Sequence, residues 1–135
     1  MELGLPRESL EEQFRRMVFN VVGRNQDDHT KNIAFLMDKA GNWRLSPAFD
    51  LTYSYNPDGQ WTSTHQMSIN GKRDGFERRD LEACAQVATL SKIKVAHIID
   101  EVSSAFSKWP EIAAEVGIGK KRANTIQSTF RQLKE

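Results

Sequence analysis

The strongest constraint on the fold is the spacing of apolar residues near the start of the chain. Leu10, Phe14, Met17, Val18, Val21 and Val22 recur at helical intervals and then meet Gly23. A stripe of this kind has to be buried against another element. The second half supplies the partners. Ser91 can cap a helix that carries Val95, Ile98, Ile99, Val102, Ala105, Phe106 and Trp109 on one face, with Pro110 ending it. Asp80 can cap a helix carrying Leu81, Cys84, Ala85 and Ala88, and Ala123, Ile126, Phe130 and Leu133 mark a last helix after "GIG". Pro110 also suits the first turn of a short helix, "PEIAAEV". At the other end, Ser9 and Glu12 fit the S-x-x-E capping box of the first helix.

Between these helices the pattern changes. "NIAFLMD" and "NWRLSP" are short extended runs separated by "KAG", which predicts a β-hairpin over residues 33–46. Residues 51–76 carry the turn signals Asn56-Pro57-Asp58-Gly59 and Asn70-Gly71, with a short strand expected at "HQMSI". There is no linker and no repeat. The expectation is one domain over residues 1–135, mainly α with a small β-hairpin (α+β).

A chain of 135 residues can bury a real core. Charged residues at 27%, hydrophobics at 39% and a net charge of +1 exclude a disordered chain. They also provide no overall attraction to nucleic acid or anionic membranes. The single cysteine, Cys84, excludes an internal disulfide. No apolar run approaches the roughly 18 residues that span a bilayer. "MELGLPRESLEEQ" lacks the basic start and apolar stretch of a signal peptide. A cytoplasmic location without membrane association is expected.

The chemistry is densest in "GRNQDDHTKNIAFL", residues 23–36. Phosphoryl transfer needs a carboxylate to orient or deprotonate the attacking hydroxyl, and oxygen ligands for Mg²⁺ on the phosphates. Protein kinases place the first of these, an Asp, five residues before a metal-binding Asn, and follow it with a second Asp after a short hairpin. Here Asp27 precedes Asn32 by five, and the predicted hairpin separates Asn32 from Asp50. His29 lies where such kinases often carry a phosphate-contacting Lys. The alternative is a polar loop whose Asp and Asn side chains make turns and caps. Asp28 is expected to face outward or to prop the loop.

"NQDDHTKN", "WRLSPAFDLTYSY" and "HQMSINGKRDGFERRDL" together resemble the C-terminal region of HipA-type serine/threonine kinases, the toxins of bacterial toxin–antitoxin modules. The resemblance covers at least residues 10–90. It implies that Asp27 is the catalytic base and that His29 contacts the nucleotide. It also implies that Asn32 and Asp50 hold the Mg²⁺ bridging the phosphates of ATP. Phe49 either lines the nucleotide pocket or packs in the core. The implied reaction moves the ATP γ-phosphate to a protein serine or threonine. The implied partners are an antitoxin, often DNA-binding, and a translation-related substrate such as an aminoacyl-tRNA synthetase. Kinases of this family cover the phosphates with an N-terminal lobe that carries a nucleotide-anchoring Lys. Only 26 residues precede Asp27, without a Gly-rich loop. The expectation is therefore a C-terminal lobe that lacks its N-terminal lobe and is inactive alone.

The competing reading is a non-catalytic binding module. "AAEVGIGKKRANTI", residues 113–126, resembles a helix-hairpin-helix in which Lys120, Lys121 and Arg122 would meet DNA phosphates. Gly117 equally serves as an ordinary helix stop and the basic triplet as a solvated face, so direct DNA binding is not expected. His65 and His97 have no Cys or Glu at ligand spacing, so no zinc site is expected. Thr52, Ser54, Thr62, Ser63 and Thr64 fall where a kinase activation segment would lie. Trp43, Trp61 and Trp109 read as core or hairpin packing.

Overall fold

The computed structural model describes residues 3–133. Five helices, α1 (Arg7–Val22), α2 (Arg78–Val87), α3 (Lys92–Ser107), α4 (Trp109–Glu115) and α5 (Lys120–Thr129), surround a core, with one two-stranded hairpin between α1 and α2. The fold is mainly α with a minor β element, as the apolar spacing predicts.

The stripe of α1 buries Phe14, Val18, Val21 and Val22, and the facing stripe of α3 buries Val95, Ile98, Ile99 and Val102. Leu81 and Ala85 of α2 join them, with Ile69, Phe76 and Leu90 from the connecting segments. Burial of each large apolar side chain contributes roughly 1.5–3 kcal/mol, which makes this α1–α3 seam the main anchor of the fold.

Helix ends differ in part from the sequence expectation. Pro6, extended at φ −68° and ψ 160°, is the residue before α1, so Ser9 and Glu12 lie inside the helix and form no capping box. The fixed φ of Pro6 starts the helix earlier, and the Ser9 amide bonds back to the Pro6 carbonyl at 3.0 Å. In α2 the cap is Glu77, and Asp80 occupies the third helical position, where it accepts from the Glu77 amide at 2.9 Å. Ser91 caps α3 by accepting from the Lys94 amide at 3.3 Å. Gly23 caps the end of α1, and only glycine fits there because a Cβ would meet the Phe106 ring, with Cε1 at 2.7 Å. The turn between α4 and α5 passes through Gly117 at φ +78°. Trp109 donates its Nε1–H to the Ala123 carbonyl at 2.9 Å, which ties α4 to α5. Phe130, expected on α5, is the residue just past its end, and its ring packs on Phe106 and Trp109.

The hairpin pairs β1 (Phe35–Met37) with β2 (Trp43–Leu45), in the register Phe35↔Leu45 and Met37↔Trp43. A further bond from the Ser46 amide to the Ala34 carbonyl, 2.9 Å, extends it toward the predicted limits. Asp38 organises its turn by accepting from the amides of Ala40 and Asn42 at 2.8 and 2.9 Å. "HQMSI" is not a strand. Its only ladder contact is the bridge Ile69↔Lys72 across the Asn70-Gly71 turn. Trp61 is 67% exposed, so it packs in neither the core nor the hairpin. Among the described residues no helix is long and apolar enough to cross a membrane.

Candidate functional site

The site is built where α1 stops. After Gly23, Arg24 turns the chain through a left-handed conformation (φ 58°) and residues 25–28 run extended beside the segment that follows Asp50. The Ser54 amide donates to the Arg24 carbonyl and the Gln26 amide to the Ser54 carbonyl, both at 3.0 Å. Asn25 is buried in this seam. Its Nδ2 donates to Asn20 Oδ1 at 2.9 Å and to the Asp50 carbonyl at 3.1 Å. Asp50 itself is left-handed at φ 54°, a conformation that costs a non-glycine residue energy and persists only when its surroundings enforce it. Asn25 supplies part of that enforcement. Arg16 adds to it by holding the end of the hairpin, donating to the Ser46 carbonyl at 2.9 Å.

Beyond Asp28 the chain forms a single 3₁₀ turn, Thr30–Asn32. It aims Asn32 back at the loop, with Nδ2 donating to the Asp27 carbonyl at 3.1 Å. That bond spends the amide nitrogen and leaves Oδ1 as the atom suited to a cation. The Asp27 carboxylate lies 3.9 Å from His29 Nε2, beyond hydrogen-bond length.

His29, Asn32, Phe49 and Asp50 all line one cavity of about 300 Å³, bounded on its other side by Phe14, Met17, Ile69 and Cys84. Asp27 is outside that lining but is joined to it through Asn32. Phe49 is 43% exposed, so it is not a core residue. Three buried polar atoms without partners, Gln13 Oε1, Asn25 Oδ1 and His29 Nδ1, belong to residues of the same lining. Orphaned buried acceptors are rare and usually answer to an absent ligand or water. Among the described residues no three His, Cys, Asp or Glu side chains group as a metal cage. Asn32 and Asp50, which share the cavity lining, carry hard oxygens. That set suits Mg²⁺, which takes few protein ligands and completes its octahedron with water and phosphate oxygens.

Asp28 meets the second of its two expectations, and its partners form a layer that sequence reasoning missed. Asp28 is buried and props the loop by accepting from the amides of Gln66 and Met67, at 2.8 and 3.4 Å, and from His65 Nδ1 at 2.7 Å. His65 is wholly buried, and its Nε2 faces Arg131 Nη1 at 2.8 Å. Burial, then the nearby charge of Arg24, pulls the Arg131 pKa below its ordinary value. No spacing rule joins residues so far apart in sequence, so no local signal could have found them.

Residues 2–110 match the model of the HipA-like C-terminal domain, and the chain belongs to that family. Among solved structures it is similar to HipA of Shewanella oneidensis MR-1, from the toxin–antitoxin complex of HipA, HipB and operator DNA. The TM-score is 0.65 at 20% identity, over 88% of this chain and 28% of that one, so the likeness is one of fold. The chain thus spans less than a third of that relative's length. No curated protein matches the chain.

Proposed function

We propose that this chain is the catalytic-loop and metal-binding portion of a HipA-like serine/threonine protein kinase in a toxin–antitoxin system. The observation that carries the reading is that His29, Asn32 and Asp50 line one cavity, with Asn32 Nδ2 bonded to the main-chain carbonyl of Asp27. In this reading Asn32 and Asp50 would hold Mg²⁺, which when bound would supply positive charge to the phosphate oxygens of ATP. Asp27 accepts the proton of the attacking serine or threonine hydroxyl, and His29 contacts the nucleotide. Phe49 lines the base or sugar end of the pocket. The phosphate-covering lobe is supplied by protein outside these residues. The exposed apolar side chains Phe35, Met37 and Trp43, which share one side of the hairpin, are the face on which it would rest. An antitoxin partner follows by analogy with the HipA–HipB complex. A translation-related substrate such as an aminoacyl-tRNA synthetase follows from the family resemblance alone.

A titration of Mg-ATP against the chain fused to such a lobe tests the metal assignment. Asp50→Asn should weaken nucleotide affinity and its dependence on Mg²⁺ together, because one ligand serves both. Unchanged affinity and unchanged Mg²⁺ dependence would remove Asp50 from the site.

A second reading has an observation of its own. Gly117 and Gly119 flank the α4–α5 turn, Lys120, Lys121 and Arg122 open α5 exposed, and the Shewanella complex includes operator DNA. DNA contact at this turn is compatible with the kinase reading.

A further inference from the structure

We infer that Asp28, His65 and Arg131 form a buried relay that sets the position of the loop carrying Asp27, making all three positioning residues for the proposed reaction. The inference rests on the kinase reading for its chemical meaning, but the relay itself is a matter of donors and acceptors. A guanidinium can only donate, so His65 Nε2, 2.8 Å from Arg131 Nη1, accepts. The ring proton then sits on Nδ1 and is donated to Asp28 Oδ2 at 2.7 Å. One tautomer satisfies both ends, and neither end can be reversed.

The far end of the relay is equally fixed. The Arg131 amide donates to the Val22 carbonyl at 3.0 Å, and its guanidinium donates to the carbonyl of Val21 at 3.1 Å and to Gln26 Oε1 at 3.2 Å. Its remaining charge is met by Asp74. The segment after α5 therefore grips both the end of α1 and the start of the loop. Asp28 grips the middle of that loop, one peptide from the proposed base. Residues 65–67 are held in turn, because the His65 amide donates to the Arg73 carbonyl at 2.9 Å and Arg73 Nε donates to the His65 carbonyl at 2.7 Å. Nothing in the relay touches the cavity contents except through Asp28, whose backbone continues into Asp27 and His29.

The donor logic yields a discriminating variant. Asp28→Asn keeps the shape but replaces one of the two acceptor oxygens with an N–H₂ group. Turned toward His65 Nδ1, that group would force the ring proton to Nε2, against the Arg131 donor; turned toward the amides of Gln66 and Met67, it would set donor against donor. Neither orientation satisfies every bond that Asp28 makes, so the loop should loosen. His65→Asn keeps a donor near the Nδ1 position and loses only the Arg131 bond, whereas His65→Leu loses both bonds.

The test has two arms. In the complete chain, backbone hydrogen exchange is measured by residue for wild type, Asp28→Asn and Arg131→Met. Exchange at residues 27–32 should rise on the order of tenfold or more while the buried amides of α3 keep their wild-type rates. Unchanged exchange at 27–32 overturns the relay whether or not the protein is a kinase. In the chain fused to an N-terminal kinase lobe, Asp28→Asn should lower kcat about a hundredfold with KM for Mg-ATP held within about threefold, the signature of a displaced reacting group. His65→Asn should recover turnover relative to His65→Leu. Turnover of Asp28→Asn equal to wild type, or His65→Leu as active as His65→Asn, overturns the positioning role. A wild-type fusion without turnover would instead count against the kinase reading, and the exchange arm alone would then decide the relay.

Discussion

Asp80 is nearly inaccessible to solvent at the start of α2, yet it is charged. Lys72 Nζ at 2.8 Å, the Glu77 amide at 2.9 Å and Asn70 Nδ2 at 2.9 Å all donate to it and hold its pKa down to about 2, against an ordinary 3.8. The folded-state pKa lies below the unfolded one. Its contribution to stability is therefore complete above the unfolded value and is lost as pH falls from about 4 to about 2. Denaturant midpoints measured across that window should drop for wild type and stay flatter for Asp80→Asn. Phe14, 5% exposed at the centre of the α1–α3 seam, makes the apolar counterpart. Phe14→Ala should cost roughly 3–5 kcal/mol by chemical denaturation, and a loss below about 1 kcal/mol would mean the seam closes without it. Residues of the second kind are legible in sequence because helical periodicity is local. The role of Asp80 was displaced by three positions because E-R-R-D and the residues that follow it fit either a cap or a first-turn acid at the third helical position. The relay from Asp28 to Arg131 was invisible because hydrogen-bond partners separated by 37 and 66 residues leave no spacing to read.

At the scale of elements, the five helices follow their stripes, and the hairpin falls inside its predicted limits. The errors cluster at boundaries. An S-x-x-E pattern was overruled by Pro6 upstream, and "HQMSI" became a bend buried only at His65 and Ile69, because Asp28 claims the amides of Gln66 and Met67 that a strand would need. The α4–α5 turn has a testable consequence. If Lys120, Lys121 and Arg122 each neutralise a phosphate, log affinity for duplex DNA should fall against log salt with a slope of about −2.7, at about −0.9 per contact. Replacing all three with Ala should flatten that slope. Absence of duplex binding at low salt would dismiss the turn as a DNA contact.

For the whole molecule, the central claim is that four side chains from one loop and the end of one hairpin run half of a phosphoryl-transfer site. The proposal starts from a linear pattern in the sequence, a polar loop, a hairpin and a following acid, and the fold brings His29, Asn32 and Asp50 of that pattern to one cavity. What holds them was not legible: the left-handed Asp50, the Asn25 tie to its carbonyl and the seam with Ser54 exist only in the folded chain. Half a site should bind Mg-ATP weakly, since ordering costs remain while many phosphate contacts are lost. The most direct measurement is Mg-ATP-dependent phosphorylation of protein serine or threonine by the chain fused to an N-terminal kinase lobe, comparing wild type with Asp27→Asn. The account predicts turnover by the wild-type fusion and none by these 135 residues alone. For Asp27→Asn it predicts a loss of at least about a hundredfold, with stability within about 0.5 kcal/mol of wild type. Undiminished phosphorylation by the Asp27→Asn fusion, or robust phosphorylation by the unfused chain, would contradict it.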